Sequence, residues 1–82
     1  MRKLDFAIGV KEIVAEQLGF RVEEILDGAF LKEDGLGMDS LDLVEFSLIL
    51  EDAFDIEIPD ADLNRFRTVQ DVIDYVKKKK EN

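Results

Sequence analysis

The sequence predicts an all-α chain that closes as a small four-helix bundle: three longer helices, one short helix, and a long loop between the first two. Three observations lead there. Apolar residues recur at three- and four-residue steps in three separate segments, the spacing of one helix face. No segment alternates apolar and polar residues for long enough to make a strand, Ile56-Glu57-Ile58 being too short. One Pro and five Gly leave few interruptions, and 46% apolar with 38% charged residues is the composition of a folded, soluble chain. At 82 residues the chain is a single domain spanning 1–82, in which about 60% of the unfolded surface can be buried.

The first helix is expected over about 4–18, where Phe6, Val10, Ile13, Val14 and Leu18 share a face and Gly19 supplies a left-handed stop. A connection of about residues 20–39 follows, with apolar pins at Phe20, Val22, Ile25, Leu26, Phe30 and Leu31 and turn-prone Asp27-Gly28 and Asp34-Gly35. Loops this long are held by their own side chains or are functional, and the pins favour the first condition. Whether Val22 to Leu26 forms a helical turn stays open. The second helix spans about 40–54. A short third spans about 60–65, with Pro59 placed where a missing N–H costs little. The last spans about 69–80: Thr68-Val69-Gln70-Asp71 has the form of a capping box, and Val69, Val72, Ile73 and Val76 make its stripe. Lys77 to Lys80 suit the carboxyl end of its dipole and read as a solvated helix terminus.

Composition removes several function classes. There is no Cys, hence no disulfide, zinc-thiolate site or protein thiol. There is no His, the usual base near neutral pH and the commonest metal ligand. An independent enzyme is therefore disfavoured, and neither catalytic nor metal-ligating residues are assigned. Clustered carboxylates from Asp34 to Asp39 lack the spacing of an EF-hand loop. The charge is lopsided: of 20 acids, eleven fall between Glu33 and Asn64 with no base among them, while the remaining nine are balanced by all 11 Lys and Arg. That field repels phosphate backbones and anionic lipid and draws basic partners, so nucleic acid is not expected as a ligand. No apolar run approaches the ~18 residues of a membrane span. The first residues lack the form of a signal peptide, so a cytoplasmic chain without membrane insertion is expected. The high net charge favours a monomer.

The second helix carries two apolar stripes when mapped at about 100° per residue. Leu43, Phe46, Leu50, Ala53 and Phe54 fall on a broad face expected to be core. Leu41, Val44 and Leu48 fall nearly opposite, fenced by Glu45 and Asp52 on one side and Glu51 on the other. Burial of both stripes is one reading; an exposed docking strip, with apolar area flanked by steering charges, is the other. The flanking acids favour docking, because burial of the strip would desolvate them as well.

Ser40 opens this helix. Its plain reading is a cap, since Ser and Asp are both preferred there and either Asp39 or Ser40 can serve. A catalytic serine is unsupported, with no His to activate it and no Lys or Tyr nearby in sequence.

Asp39-Ser40-Leu41-Asp42 at the head of an acidic helix resembles the phosphopantetheine attachment motif of acyl carrier proteins. Glu16-Gln17-Leu18-Gly19, Phe54-Asp55, Glu57-Ile58-Pro59-Asp60 and Thr68-Val69-Gln70-Asp71 with Ile73-Asp74-Tyr75 resemble the same family in the same order, over about residues 10–76. The resemblance implies a carrier and not an enzyme. A separate phosphopantetheinyl transferase would move 4′-phosphopantetheine from coenzyme A onto the Ser40 hydroxyl, and the arm's thiol would hold acyl groups as thioesters. It further implies that Leu41, Asp42, Val44, Glu45, Leu48 and Asp52 form the surface recognised by the transferase and by acyl-loading, elongating and acyltransferase enzymes through basic patches. Phe30, Phe46, Leu50, Phe54 and Ile58 would line an acyl pocket between the helices.

Three features differ from the family's fatty-acid pattern: a loop before the motif one residue longer, Leu43 in place of a Thr, and Ala53 in place of an acid. The expected function is an acyl carrier in fatty-acid or related lipid biosynthesis. The alternatives are a carrier for a specialised polyketide, nonribosomal or lipid-modifying route, and, in another class, an unmodified acidic helical adaptor.

Overall fold

The computed structural model describes residues 5–81. Helix α1 runs Phe6–Leu18, α2 runs Ser40–Phe54 and α3 runs Val69–Glu81, with two 3-10 segments at Val22–Glu24 and Asp60–Arg65. The four-helix expectation holds, with three long helices and the Asp60–Arg65 segment as the short one. The expected first helix begins two residues later, because the Asp5 carboxylate accepts the Ile8 N–H and caps it there; Leu4 lies outside the described residues. Gly19 closes α1 in the left-handed region at φ 83°, its N–H donating to the Ala15 carbonyl. Val22–Glu24, left open by the sequence, is one tight turn.

α1 packs against both α2 and α3, and its Val10 and Val14 meet Phe46 and Leu50 of α2 and Val72 and Val76 of α3 in a single core, all fully buried. On α2 the observed core face is Leu43, Phe46, Leu50 and Phe54 together with Ser47, whose hydroxyl donates to the Val44 carbonyl at 2.7 Å. Ala53, expected on that face, is exposed. It sits at the edge of the buried arc, whose centre the wheel places near Leu50, while Ser47 on the other edge is drawn in because its hydroxyl finds a backbone acceptor.

The long loop is fastened to the head of α3 by main chain. The Leu31 N–H donates to the Arg67 carbonyl (2.9 Å), the Val69 N–H to Ala29 (3.0 Å) and the Gln70 N–H to Asp27 (2.8 Å), around an isolated antiparallel bridge between Phe30 and Thr68. Ile25 and Leu31 are buried as pins, joined by Met38, whereas Phe20, Leu26 and Phe30 face solvent. Phe30 is thus corrected: at 43% exposure it does not line the interior. The bridge holds residues 29–31 extended, neighbouring side chains in extended chain point to opposite faces, and Leu31 takes the inward one. The loop then folds on itself, the Leu36 N–H reaching the Phe30 carbonyl at 2.8 Å and the Met38 N–H the Leu31 carbonyl at 2.8 Å. Gly35 makes that fold possible, since a Cβ there would stand 2.1 Å from the Phe30 carbonyl oxygen.

The Thr68 capping box forms as the sequence implied: the Asp71 N–H donates to Thr68 Oγ1 (3.2 Å) and the Thr68 N–H to the Asp71 carboxylate (3.0 Å). No described helix is long and apolar enough to cross a membrane.

Candidate functional site

Asp39 is the cap of α2, and Ser40 is not. The Asp42 N–H donates to Asp39 Oδ1 at 2.8 Å and the Asp39 N–H to Asp42 Oδ2 at 3.1 Å, a reciprocal box that closes the first turn. Ser40 is left as the first helical residue, exposed, and its hydroxyl makes no hydrogen bond among the described residues. The Leu43 N–H is taken by the Asp39 carbonyl at 3.0 Å, which leaves the Ser40 and Leu41 N–H groups at the helix end facing outward. Free N–H groups and the positive end of a helix dipole favour an anion, so a phosphodiester on the Ser40 oxygen fits this turn. The Asp39 and Asp42 carboxylates oppose it, but both are already accepting main-chain donors.

The turn is tied to α1 by a bond that the sequence does not announce. Gln17 Nε2 donates to the Asp42 main-chain carbonyl at 2.8 Å, across 25 positions of chain. In the sequence Gln17 stands out only as part of the Glu16-Gln17-Leu18-Gly19 motif. Its partner is a backbone atom, so no residue type elsewhere in the sequence signals the contact.

The second stripe of α2 is exposed, as the docking reading required. Leu41 (65%), Val44 (44%) and Leu48 (57%) stand out from the surface, with Glu45 and Asp52 exposed beside them and Asp42 half-buried in the capping box. Ile49, 41% exposed, extends the apolar strip. The helical map left it unassigned, at the margin between Glu45 and Ala53. Glu51, expected as the opposite fence of the strip, is engaged elsewhere: its Oε2 accepts the Ile58 N–H at 2.7 Å and holds the chain leaving α2. Among the described residues the ion pairs are Lys11 with Asp27 and Arg21 with Glu23 at 3.8 Å, both outside the acidic stretch. Neither Glu45 nor Asp52 is therefore paired with a base among the described residues.

Of the expected acyl-lining residues, Phe46, Leu50, Phe54 and Ile58 are buried together. A surface recess of about 470 Å³ lies elsewhere, between the Asp60–Arg65 segment and α3, and is lined by Asp62, Arg65, Phe66, Tyr75, Lys78 and Lys79 among others. There Tyr75 donates its hydroxyl to Asp62 at 2.6 Å and meets Phe66 edge-on with ring centroids 5.1 Å apart. Burial, reinforced by that bond to the Asp62 carboxylate, raises the Tyr75 pKa from 10.0 to about 12.

Comparison with known proteins agrees with this geometry. The family described as phosphopantetheine attachment site matches residues 9–76. An acyl carrier protein from Thermotoga maritima shares 36% identity over 89% of this chain and 84% of its own, with a TM-score of 0.74. The apo doublet acyl carrier protein from prodigiosin biosynthesis shares 26% identity over 89% of this chain, with a TM-score of 0.75, and this chain spans 35% of its length. Such a match sets aside the unmodified adaptor, because a covalently attached 4′-phosphopantetheine goes with the family. The chain belongs to the acyl carrier protein family, whose members are carriers served by modifying and acyl-handling enzymes and are not themselves enzymes.

Proposed function

We propose that Ser40 bears the 4′-phosphopantetheine arm and that the chain carries acyl groups in fatty-acid or related lipid biosynthesis in the cytoplasm. One observation carries the choice of Ser40: its hydroxyl is exposed and unbonded at the head of α2 while Asp39 does the capping. A serine retained for its cap would have its oxygen turned onto a backbone N–H. Here the oxygen is free to take a substituent. The chain has no thiol of its own, so the reactive sulfur is the arm's.

Partner enzymes, the phosphopantetheinyl transferase first among them, meet the exposed strip of Leu41, Val44 and Leu48. The apolar side chains supply contact area, and Asp42, Glu45 and Asp52 supply steering toward basic surfaces. Phe46, Leu50 and Phe54 of α2 and Ile58 of the chain that follows it, all buried in the one core, are the residues an acyl chain would displace. Two-dimensional spectra of free-thiol and long-chain acylated forms test that last point, and changes confined to the neighbourhood of Ser40 would rule it out.

A specialised pathway is the second reading. Leu43 and Ala53 depart from the fatty-acid pattern, and one similar structure comes from prodigiosin biosynthesis. Loading by a malonyl transferase favours the fatty-acid reading; loading by an acid-activating ligase favours the other.

The attachment site is tested by intact mass after incubation with coenzyme A and a broad-specificity transferase. The expected result is a gain of one phosphopantetheine on the wild type and none on Ser40→Ala. A gain on Ser40→Ala, or none on the wild type while a control carrier is modified, removes the assignment.

A further inference from the structure

We propose that Gln17, on α1, is a positioning residue that fixes where the first turn of α2 presents Ser40 to the modifying enzyme; this rests on the Ser40 reading above. The Asp42 carbonyl that Gln17 reaches belongs to the hydrogen-bond ladder of α2, so α2 does not depend on Gln17 to be helical. The bond ties two helices together at one point. That point is chosen tellingly: Asp42 is the residue whose side chain and N–H close the box with Asp39, and Ser40 and Leu41 are the two residues enclosed by it. Any slide or rotation of Asp42 relative to α1 carries Ser40 and the head of the docking strip with it.

A second observation shows that packing alone does not call for an amide here. Because its partner is a carbonyl, Gln17 must turn its NH2 toward Asp42, which directs Oε1 the other way. Oε1 is buried there and accepts no hydrogen bond among the described residues. A buried acceptor without a donor is destabilising, whereas a leucine of similar bulk would bring no such cost. Gln17 thus spends stability in one direction and gains a placed turn in the other.

Structural and positioning roles predict different outcomes for Gln17→Leu in the full-length chain. Removing the amide loses the tie but also removes the orphaned oxygen, so the unfolding temperature should match or exceed that of the wild type. The backbone amide resonances of Ser40 and Leu41 should move. The rate of phosphopantetheine transfer from coenzyme A, read by intact mass at limiting carrier concentration, should fall about fivefold, the factor that one hydrogen bond of this strength represents. Gln17→Glu, ionised at neutral pH and without a proton to give, should lose rate similarly. It should regain part of that rate relative to wild type in mild acid, where its carboxyl can donate to the Asp42 carbonyl.

Gln17→Leu modified at the wild-type rate would overturn the proposal. So would a rate loss that follows a fall in unfolding temperature while the Ser40 and Leu41 resonances stay in place. If instead the wild-type chain takes no arm at all, it is the Ser40 assignment that fails; the resonances and unfolding temperature of Gln17→Leu still decide whether the tie sets the turn.

Discussion

Asp39 and Ser40 are adjacent and both suited to cap a helix, and only Asp39 does so. The sequence could not separate them, because cap preference is a property of residue type and both types qualify. The backbone separates them: with Asp39 extended at φ −93° and ψ −175° and its carboxylate on the Asp42 N–H, Ser40 falls one position inside the helix with nothing to bond. Two substitutions should therefore have opposite profiles. Asp39→Ala removes the cap and is expected to cost about 1 kcal/mol of stability. Ser40→Ala removes no bond and should change stability by less than about 0.5 kcal/mol, while abolishing modification. Urea unfolding of both variants checks this, and a loss for Ser40→Ala equal to that for Asp39→Ala would return Ser40 to the role of a cap. The family was legible because the signal of its motifs is local. Gln17 was not, since its hydrogen bond spans 25 positions and ends on a carbonyl that every residue has.

At the scale of elements, the long helices were legible to within two residues, because stripes such as Val69, Val72, Ile73 and Val76 and the Thr68–Asp71 box are sequence patterns with direct physical meaning. The loop was legible only in part. Its pins were identified as a group, but which of them turn inward depends on the bridge to Thr68, and no local pattern sets the register of a single bridge. The Asp60–Arg65 segment shows what holds a short element with no buried residue of its own. Glu51 grips the chain ahead of it through the Ile58 N–H, and Tyr75 on α3 grips Asp62 inside it. The second grip is pH-dependent in a stated direction. The folded chain binds the Tyr75 proton more tightly than the unfolded chain does, so the contribution is complete below about pH 10 and is lost as pH rises toward 12. Tyr75→Phe should be less stable than wild type near neutrality, and the gap should narrow across that alkaline window as wild type loses the bond. Denaturant midpoints at about pH 8 and about pH 11 measure it; a constant gap would mean that the phenol and Asp62 contribute nothing that titrates.

Along the whole chain, charge is sorted rather than mixed. The eleven acids between Glu33 and Asn64 form no ion pair among the described residues, and the four lysines from Lys77 to Lys80 are gathered at the far end of α3. Like charges crowded into one stretch repel one another in the folded chain and attract a basic partner from a distance, so the same charges can be tested for both effects. Added salt should act on these in opposite directions. Raising ionic strength screens the self-repulsion and should raise the unfolding temperature, while it screens the attraction and should slow association with a cognate enzyme. Glu45→Lys combined with Asp52→Lys reverses two exposed charges beside the apolar strip of α2, and neither side chain holds a hydrogen bond among the described residues. The double variant should therefore stay folded, with an unfolding temperature at low salt no lower than wild type and a shallower rise with salt. Its association rate at low salt should drop by about tenfold or more, with most of the difference from wild type gone at high salt. Stopped-flow association at two salt concentrations beside thermal melts separates the effects. Unchanged low-salt association would show that the acids around Leu41, Val44 and Leu48 do not steer partners.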